Sequence, residues 1–254
     1  MNESSVSIIV PVHNGAALIH DALESVLDQT HQASEIIVID DGSTDATPRI
    51  VREYGKAVRY YWQANSGAPA ARNVGIEKAS AKWISFLDAD DIYDKRKLEI
   101  QLSRFEKYPR VEVVMGSREH HGLCSRDDEP PEFERLEIED HVPLQLGCGL
   151  YRRTIFERVG LFDTGLRYCD DYDWFNRARE QSVPLLLHDD VVLYQRVHAG
   201  NMTRKRQTAN RFQLMAFKKS LDRRRLDPSI PGELPRLSTF HESHLEECDG
   251  EFHE

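Results

Sequence analysis

The sequence predicts an α/β chain: a mostly parallel sheet with helices on both faces and a C-terminal helical extension. Three observations carry that expectation. Residues 6–115 alternate between short apolar runs and segments with helical periodicity. The apolar runs are unbroken and rich in β-branched residues, as expected of strands buried on both faces. The breaks between them fall mainly on Gly, Asn, Asp and Pro, the residues that end regular structure. Such repetition is Rossmann-like.

Element by element, Val6 to Val12 reads as the first buried strand. Asn14 is placed to cap a helix whose Leu18, Ile19, Ala22, Leu23, Val26 and Leu27 recur at helical spacing. Ile36 to Ile39 is the second strand. Thr44 or Asp45 opens a helix carrying Ile50, Val51 and Tyr54, with Gly55 where a C-cap would fall. Val58 to Trp62, Trp83 to Leu87 and Val111 to Met115 are the next strands, separated by helices over Ala68 to Ala79 and Asp94 to Tyr108. The pattern breaks after Gly116. Ser117 to His141 is polar and acidic, interrupted by Asp127-Asp128-Glu129-Pro130-Pro131, and is expected to be a long loop over a site. Beyond it, Gly147 to Tyr151 and Val191 to Tyr194 look like strands. Arg153 to Val159, Asp171 to Gln181 and Arg204 to Leu221 look helical. The tail from Asp227 is rich in Pro, Glu and His and should add little to the core.

Composition narrows the class. The 254 residues carry 33 Lys and Arg against 43 Asp and Glu, a net charge of −10, which argues against a general nucleic-acid binder. Hydrophobic residues at 40% are enough for a folded core. No apolar run approaches the roughly 18–20 residues needed to cross a bilayer, so no transmembrane segment is expected. Nor does the N-terminus have a basic region followed by an apolar stretch, so no secretory signal is read there. Cys124, Cys148, Cys169 and Cys248 are scattered, without a CxxC pair, and are expected to be reduced thiols rather than disulfides or zinc ligands. A cytoplasmic protein, peripheral at most to the inner membrane surface, is the expectation.

In an open α/β sheet, ligands bind beyond the carboxyl ends of the strands. Three of those ends are chemically loaded. The first is Pro11-Val12-His13-Asn14, the second Asp40-Asp41-Gly42-Ser43 and the fourth Asp88-Ala89-Asp90-Asp91. Three carboxylates in four positions repel one another unless a cation neutralises them. Hard divalent ions such as Mg²⁺ or Mn²⁺ suit carboxylate, phosphate and water oxygens.

Taken together, Ser7 to Asn14, Ile37 to Asp45 and Phe86 to Asp91 resemble the inverting family 2 glycosyltransferases with the A-type (nucleotide-diphospho-sugar transferase) fold. The resemblance continues through Asn65-Ser66-Gly67, Ala71-Arg72-Asn73 and Asp170-Asp171-Tyr172-Asp173-Trp174, and reaches His198. It implies a nucleotide-sugar-binding half over 1–116. The acceptor-binding half with the catalytic base would cover 117–203 of the same domain, followed by a C-terminal helix and tail over 204–254. Asp41 would meet the uracil ring, with Pro11, His13 and Asn14 beside the base. Arg72 would lie near the nucleotide or its diphosphate, and Asp88 on the ribose or metal. Asp90 would be the main metal ligand of the Asp-x-Asp (DXD) motif, with His198 near the metal or diphosphate. Asp171 would be the general base. Asp170 stands where relatives commonly have Glu, which leaves open which of the two carboxylates faces the acceptor.

The chemistry implied is transfer of one sugar from a nucleotide-diphosphate sugar to an acceptor hydroxyl, with Mn²⁺ or Mg²⁺ as cofactor. A nucleoside diphosphate leaves well only when its developing charge is stabilised. One carboxylate takes the acceptor's proton as the oxygen attacks from the opposite face. Adjacent Asp170 should raise the pair's pKa toward neutrality. A UDP-sugar is favoured because Asp41 suits a base with an imide N–H, which thymine also offers. The acceptor would be a saccharide or a lipid-linked molecule in bacterial glycan, capsule or lipopolysaccharide assembly. Without spanning helices or a Gln-x-x-Arg-Trp motif, a processive synthase is disfavoured.

Other readings compete. A haloacid-dehalogenase-like phosphatase also places Asp-x-Asp after an apolar strand, but on its first strand. A non-catalytic nucleotide-binding scaffold would keep the fold without turnover. No dinucleotide-binding Gly-x-Gly-x-x-Gly, P-loop or uridylyltransferase loop follows the first strand. Trp174 reads as core or acceptor platform, and His120-His121 as solvated loop. Arg204, Lys205, Arg206 and Arg223-Arg224-Arg225 read as solvated helix faces, or alternatively as contacts to anionic phosphates or a membrane surface.

Overall fold

A computed structural model describes residues 4–124, 132–137, 144–198, 201, 206–235 and 237–243. Strands β1 (Val6–Val12), β2 (Glu35–Asp41), β3 (Arg59–Gln63) and β4 (Trp83–Phe86) form the parallel half of one sheet, in the order β3-β2-β1-β4. Between them run α1 (Ile19–Leu27), α2 (Thr47–Glu53) and α3 (Ala68–Lys78). The second half is mixed. It contains β5 (Ile92–Tyr93), β6 (Val113–Cys124), β7 (Glu132–Leu136), β8 (Gly149–Arg152) and β9 (Leu185–Val197). There β4 pairs antiparallel with β8, β8 antiparallel with β6, and β6 parallel with β9. Helices α4 (Lys97–Lys107), α5 (Ile155–Arg158), α6 (Asp170–Glu180) and α7 (Arg206–Leu226) complete the chain.

The apolar runs do what their composition requires: Ile8, Ile9, Val10, Ile37, Val38 and Ile39 are fully buried between helix layers. Pro11 sits inside a central strand without breaking the ladder. The Ile9 carbonyl accepts from the Leu87 amide, so alternate residues of β1 face β4. β4 ends at Phe86, and the amide that Pro11 lacks would point past that end. α3 lies close against β1 because Gly75 has no side chain; a Cβ there would come within 2.3 Å of the Ile9 side chain. Trp174, fully buried with its Nε1 donating to the Gly160 carbonyl at 3.0 Å, packs among Tyr151, Phe156 and Phe162. It belongs to the core and is no acceptor platform.

Several expectations need correction. Ser117 to His141 is no continuous loop: β6 runs on to Cys124 and pairs with β7, with residues 125–131 and 138–143 outside the described set. Polar sequence misleads here because backbone pairing with β9, from Ser117–Val191 to Gly122–Val197, supplies the order. The same pairing makes β9 far longer than Val191 to Tyr194 and puts His120 and His121 within a strand. Asn14 does not cap α1. It takes positive φ (53°) in a bend, and α1 begins five residues further on. The tail also reaches the core: Leu237 and Phe240 pack on it, and the Arg104 guanidinium holds Glu242 at 2.9 Å. Cys148 and Cys169 form no disulfide among the described residues; the Cys124 and Cys248 expectations fall on side chains outside them.

Candidate active site

The strand ends converge as the topology requires. At the β1 end, the Asn14 amide donates to Ser43 Oγ (2.8 Å), and its side-chain oxygen accepts from the Thr44 amide (2.8 Å). His13 Nδ1 lies 2.9 Å from the Asp41 carbonyl oxygen and 3.2 Å from Asn65 Nδ2. Asp40 is fully buried, accepting from the Ser43 amide and from Tyr60 Oη (2.6 Å). Asp41 is also buried. Its Oδ1 accepts from Gln63 Nε2 (2.7 Å) and the Ser66 amide (2.8 Å), and its Oδ2 from the Gly67 amide (2.8 Å). The carboxylate therefore fixes the β3–α3 turn, where Gly67 takes φ of 92°, a value side chains resist. Gln63 and Tyr60, both from β3, are partners that motif reading did not find.

Arg72, from the first turns of α3, joins two clusters that are far apart in sequence. Its Nη2 donates to Asp88 (2.9 Å) and its Nη1 to Asp170 (2.8 Å), while Nε is buried with no hydrogen-bond partner among the described residues. Asp170 and Asp171 open α6, where the helix N-terminus favours negative charge. Burial raises the Asp171 carboxyl, and Asp170 raises it further, to about 6. Burial also raises Asp170, against the pull of the Arg72 charge.

The Asp88–Asp91 triplet divides. Asp90 Oδ2 lies 3.1 Å from His198 Nε2 and accepts from Asn201 Nδ2 at 3.3 Å. Burial first, and Asp88 second, push its carboxyl up. Asp91 instead turns inward, almost fully buried, and accepts from the Arg196 backbone amide at 3.0 Å. The Arg196 side chain, 1% exposed, braces this loop. Nε donates to the Asp90 carbonyl (2.6 Å), Nη1 to Asp21 (2.7 Å) and Nη2 to the Leu18 carbonyl (2.8 Å). Arg196 and Asn201 flank His198 in sequence, and only the fold reveals their connection to Asp90. Among the described residues no three His, Cys, Asp or Glu side chains form a complete metal cage. Asp88 and Asp90, both partly exposed, and the His198 imidazole against Asp90 are donors of the kind a divalent ion takes, but they form no closed site.

The α/β sheet, with carboxylates gathered beyond its parallel strand ends, has the A-type fold of solved glycosyltransferases. One is S. aureus TarS 1–349 in complex with UDP-GlcNAc: 21% identity, TM-score 0.62, 79% of this chain and 60% of that one. Another is the mannosyltransferase PcManGT of Pyrobaculum calidifontis with GDP-Man and Mn²⁺: 19% identity, TM-score 0.67, 91% of this chain and 65% of that one. The model of glycosyl transferase family 2 matches residues 7–165, and the chain belongs to that family.

An uncharacterized glycosyltransferase of Rickettsia prowazekii is 35% identical over 210 residues, 78% of this chain and 65% of that protein. TuaG of Bacillus subtilis, a glycosyltransferase assigned to teichuronic acid biosynthesis, is 45% identical over 101 residues, 38% of this chain and 40% of its own. The chain thus spans about two thirds or less of the length of these relatives. Family membership removes the phosphatase alternative. The matched span contains His13, Asp41, Arg72, Asp88 and Asp90, whereas Asp170, Asp171 and His198 lie beyond it.

Proposed function

We propose that this chain is an inverting, divalent-metal-dependent transferase that moves one sugar from a nucleoside-diphosphate sugar, UDP-linked by preference, to an acceptor hydroxyl. The observation that carries the reading is the Arg72 fork, which holds Asp170 of α6 and Asp88 of the Asp88–Asp91 loop on one guanidinium. The donor's base would sit against His13, Asn14 and the Asp41 turn, just past the end of β1. The unpartnered Nε of Arg72 suits a phosphate oxygen. Asp90, His198 and Asp88 would hold Mn²⁺ or Mg²⁺, which when bound neutralises the diphosphate as it leaves.

Asp171 acts as the base. It accepts the Tyr172 amide through Oδ1 (2.8 Å), which leaves Oδ2 for the acceptor's proton. At about 6 its raised pKa still leaves it mostly deprotonated at neutral pH, yet makes it more basic than an ordinary carboxylate. Asp170, engaged by Arg72, is a poorer candidate and serves to tune its neighbour. Membership of the family and the names of its bacterial relatives support a role in surface polysaccharide assembly with a saccharide or lipid-linked acceptor. No helix among the described residues is long and apolar enough to cross a membrane.

The test is calorimetric titration of UDP, dTDP and GDP, with and without Mn²⁺, on the wild type and Asp90→Ala. Metal-dependent binding of one pyrimidine diphosphate, lost in Asp90→Ala, is expected. A folded protein that binds none of the three overturns the reading. A protein that binds nucleotide but turns over no sugar nucleotide, including by donor hydrolysis, is the scaffold instead.

A further inference from the structure

Helix α7 has two unlike faces. Phe212 lies against Tyr168, Ala216 is buried, Ser220 Oγ donates to Glu180 (2.5 Å), and Arg223 pairs with Glu180 (2.6 Å) and Asp173 (3.0 Å). That face is committed to α6. Leu214, Phe217 and Leu221, at spacings of three and four, form one stripe on the opposite side. They are 70%, 49% and 44% exposed, although their type usually seeks burial. By helical rotation, Lys218 and Arg225 fall in the same sector and Arg211 on its rim. These three cations are exposed and form no ion pair among the described residues. Over residues 210–226, six basic side chains stand against one acidic, Asp222, in a chain whose net charge is −10.

We propose that the outer face of α7 docks on an anionic bilayer surface. An apolar stripe edged by cations is the chemistry of an interfacial helix: Leu214, Phe217 and Leu221 enter the headgroup–acyl boundary, while Arg211, Lys218 and Arg225 meet lipid phosphates. Charge complementarity selects this occupant over a second copy of the chain, because a two-fold interface on the stripe would set its cations near one another. The docked surface lies about one helix diameter from the face that packs on α6, the helix that opens with Asp170 and Asp171. Docking therefore holds that helix end close to membrane-borne molecules. The proposal goes beyond the transferase reading and does not depend on it, since lipid binding is measured without turnover.

The experiment is co-sedimentation of the full chain with phosphatidylcholine vesicles, with and without one third phosphatidylglycerol. Wild type is compared with Leu214→Ser/Phe217→Ser/Leu221→Ser and with Lys218→Glu/Arg225→Glu, and circular dichroism checks that each is folded. Binding to the anionic vesicles is expected, weakened about tenfold or more by either set, because each cation near such a surface contributes about fivefold. Raising the salt from about 0.1 M to about 0.5 M should weaken it likewise. Equal binding to neutral and anionic vesicles, no binding to either, or binding untouched by both sets overturns the proposal. So does a dimer in sedimentation velocity that the serine set dissociates, which assigns the stripe to a second copy.

Discussion

If Arg72 holds the pKa of the α6 carboxylates down, removing it should move the enzyme's acid limb. The fork is buried and touches Asp88 and Asp170 at 2.9 and 2.8 Å, and its charge also lowers Asp171. A carboxylate beside an arginine is held down by roughly 1–3 pKa units, or about 1.4–4 kcal/mol. Arg72→Met should therefore lift the Asp171 titration from about 6 by up to roughly 1–3 pKa units. The sign follows from the proposed role: if Asp171 is the base it must be deprotonated, so activity is lost as pH falls through this value. kcat/KM against pH, which reports the free enzyme, is the assay. Arg72→Lys, a point charge without the fork, should shift the limb by an intermediate amount. Breaking a buried pair costs about 3–5 kcal/mol, so a fold check accompanies each profile. A folded Arg72→Met whose limb stays near pH 6 refutes the reasoning, and any loss of rate then belongs to donor binding alone.

Asp171→Asn should lower kcat by about 10²–10⁴-fold and leave nucleotide affinity within a few-fold, measured by turnover and calorimetry; equal losses in Asp170→Asn alone would reassign the base. Arg196→Met orphans the Asp90 and Leu18 carbonyls and frees Asp21, so it should cost about 3–5 kcal/mol in urea unfolding and weaken metal-dependent nucleotide binding together. Lys97 is fully buried, donating to Gln101 Oε1 (2.9 Å) and the Gly149 carbonyl (3.3 Å), and burial pulls its ammonium down to about 7. The native state thus disfavours the proton, a penalty full below about pH 7 and relieved as pH rises toward the ordinary lysine value. Relative to Lys97→Met, wild-type stability should rise by up to about 1.4 kcal/mol per pH unit above 7, and parallel curves would contradict this.

The parallel half of the fold was legible because its signals are local: β-branched runs for strands, helical spacing for α1 to α4, and carboxylates just past the strand ends. Asp41, Arg72, Asp90 and Asp171 were singled out by the family resemblance of their motifs, and their roles are proposals. What failed was whatever backbone pairing decides at a distance. β6 and β9 hold polar sequence in strands because each satisfies the other's amides, and no window of β6 alone carries that information. Trp174 was ambiguous until Tyr151, Phe156 and Phe162, up to 23 positions away, surrounded it. The site is divided in the same way. The sequence by itself determined which side chains carry charge and where the strand ends put them. Only the tertiary structure decided that Asp91 turns inward to Arg196, that Asp41 locks a turn, and that one guanidinium joins Asp88 to Asp170, 82 residues apart. The reason is physical: burying a charge costs more than a local sequence can offset, so each buried carboxylate takes the partner that the fold brings to it.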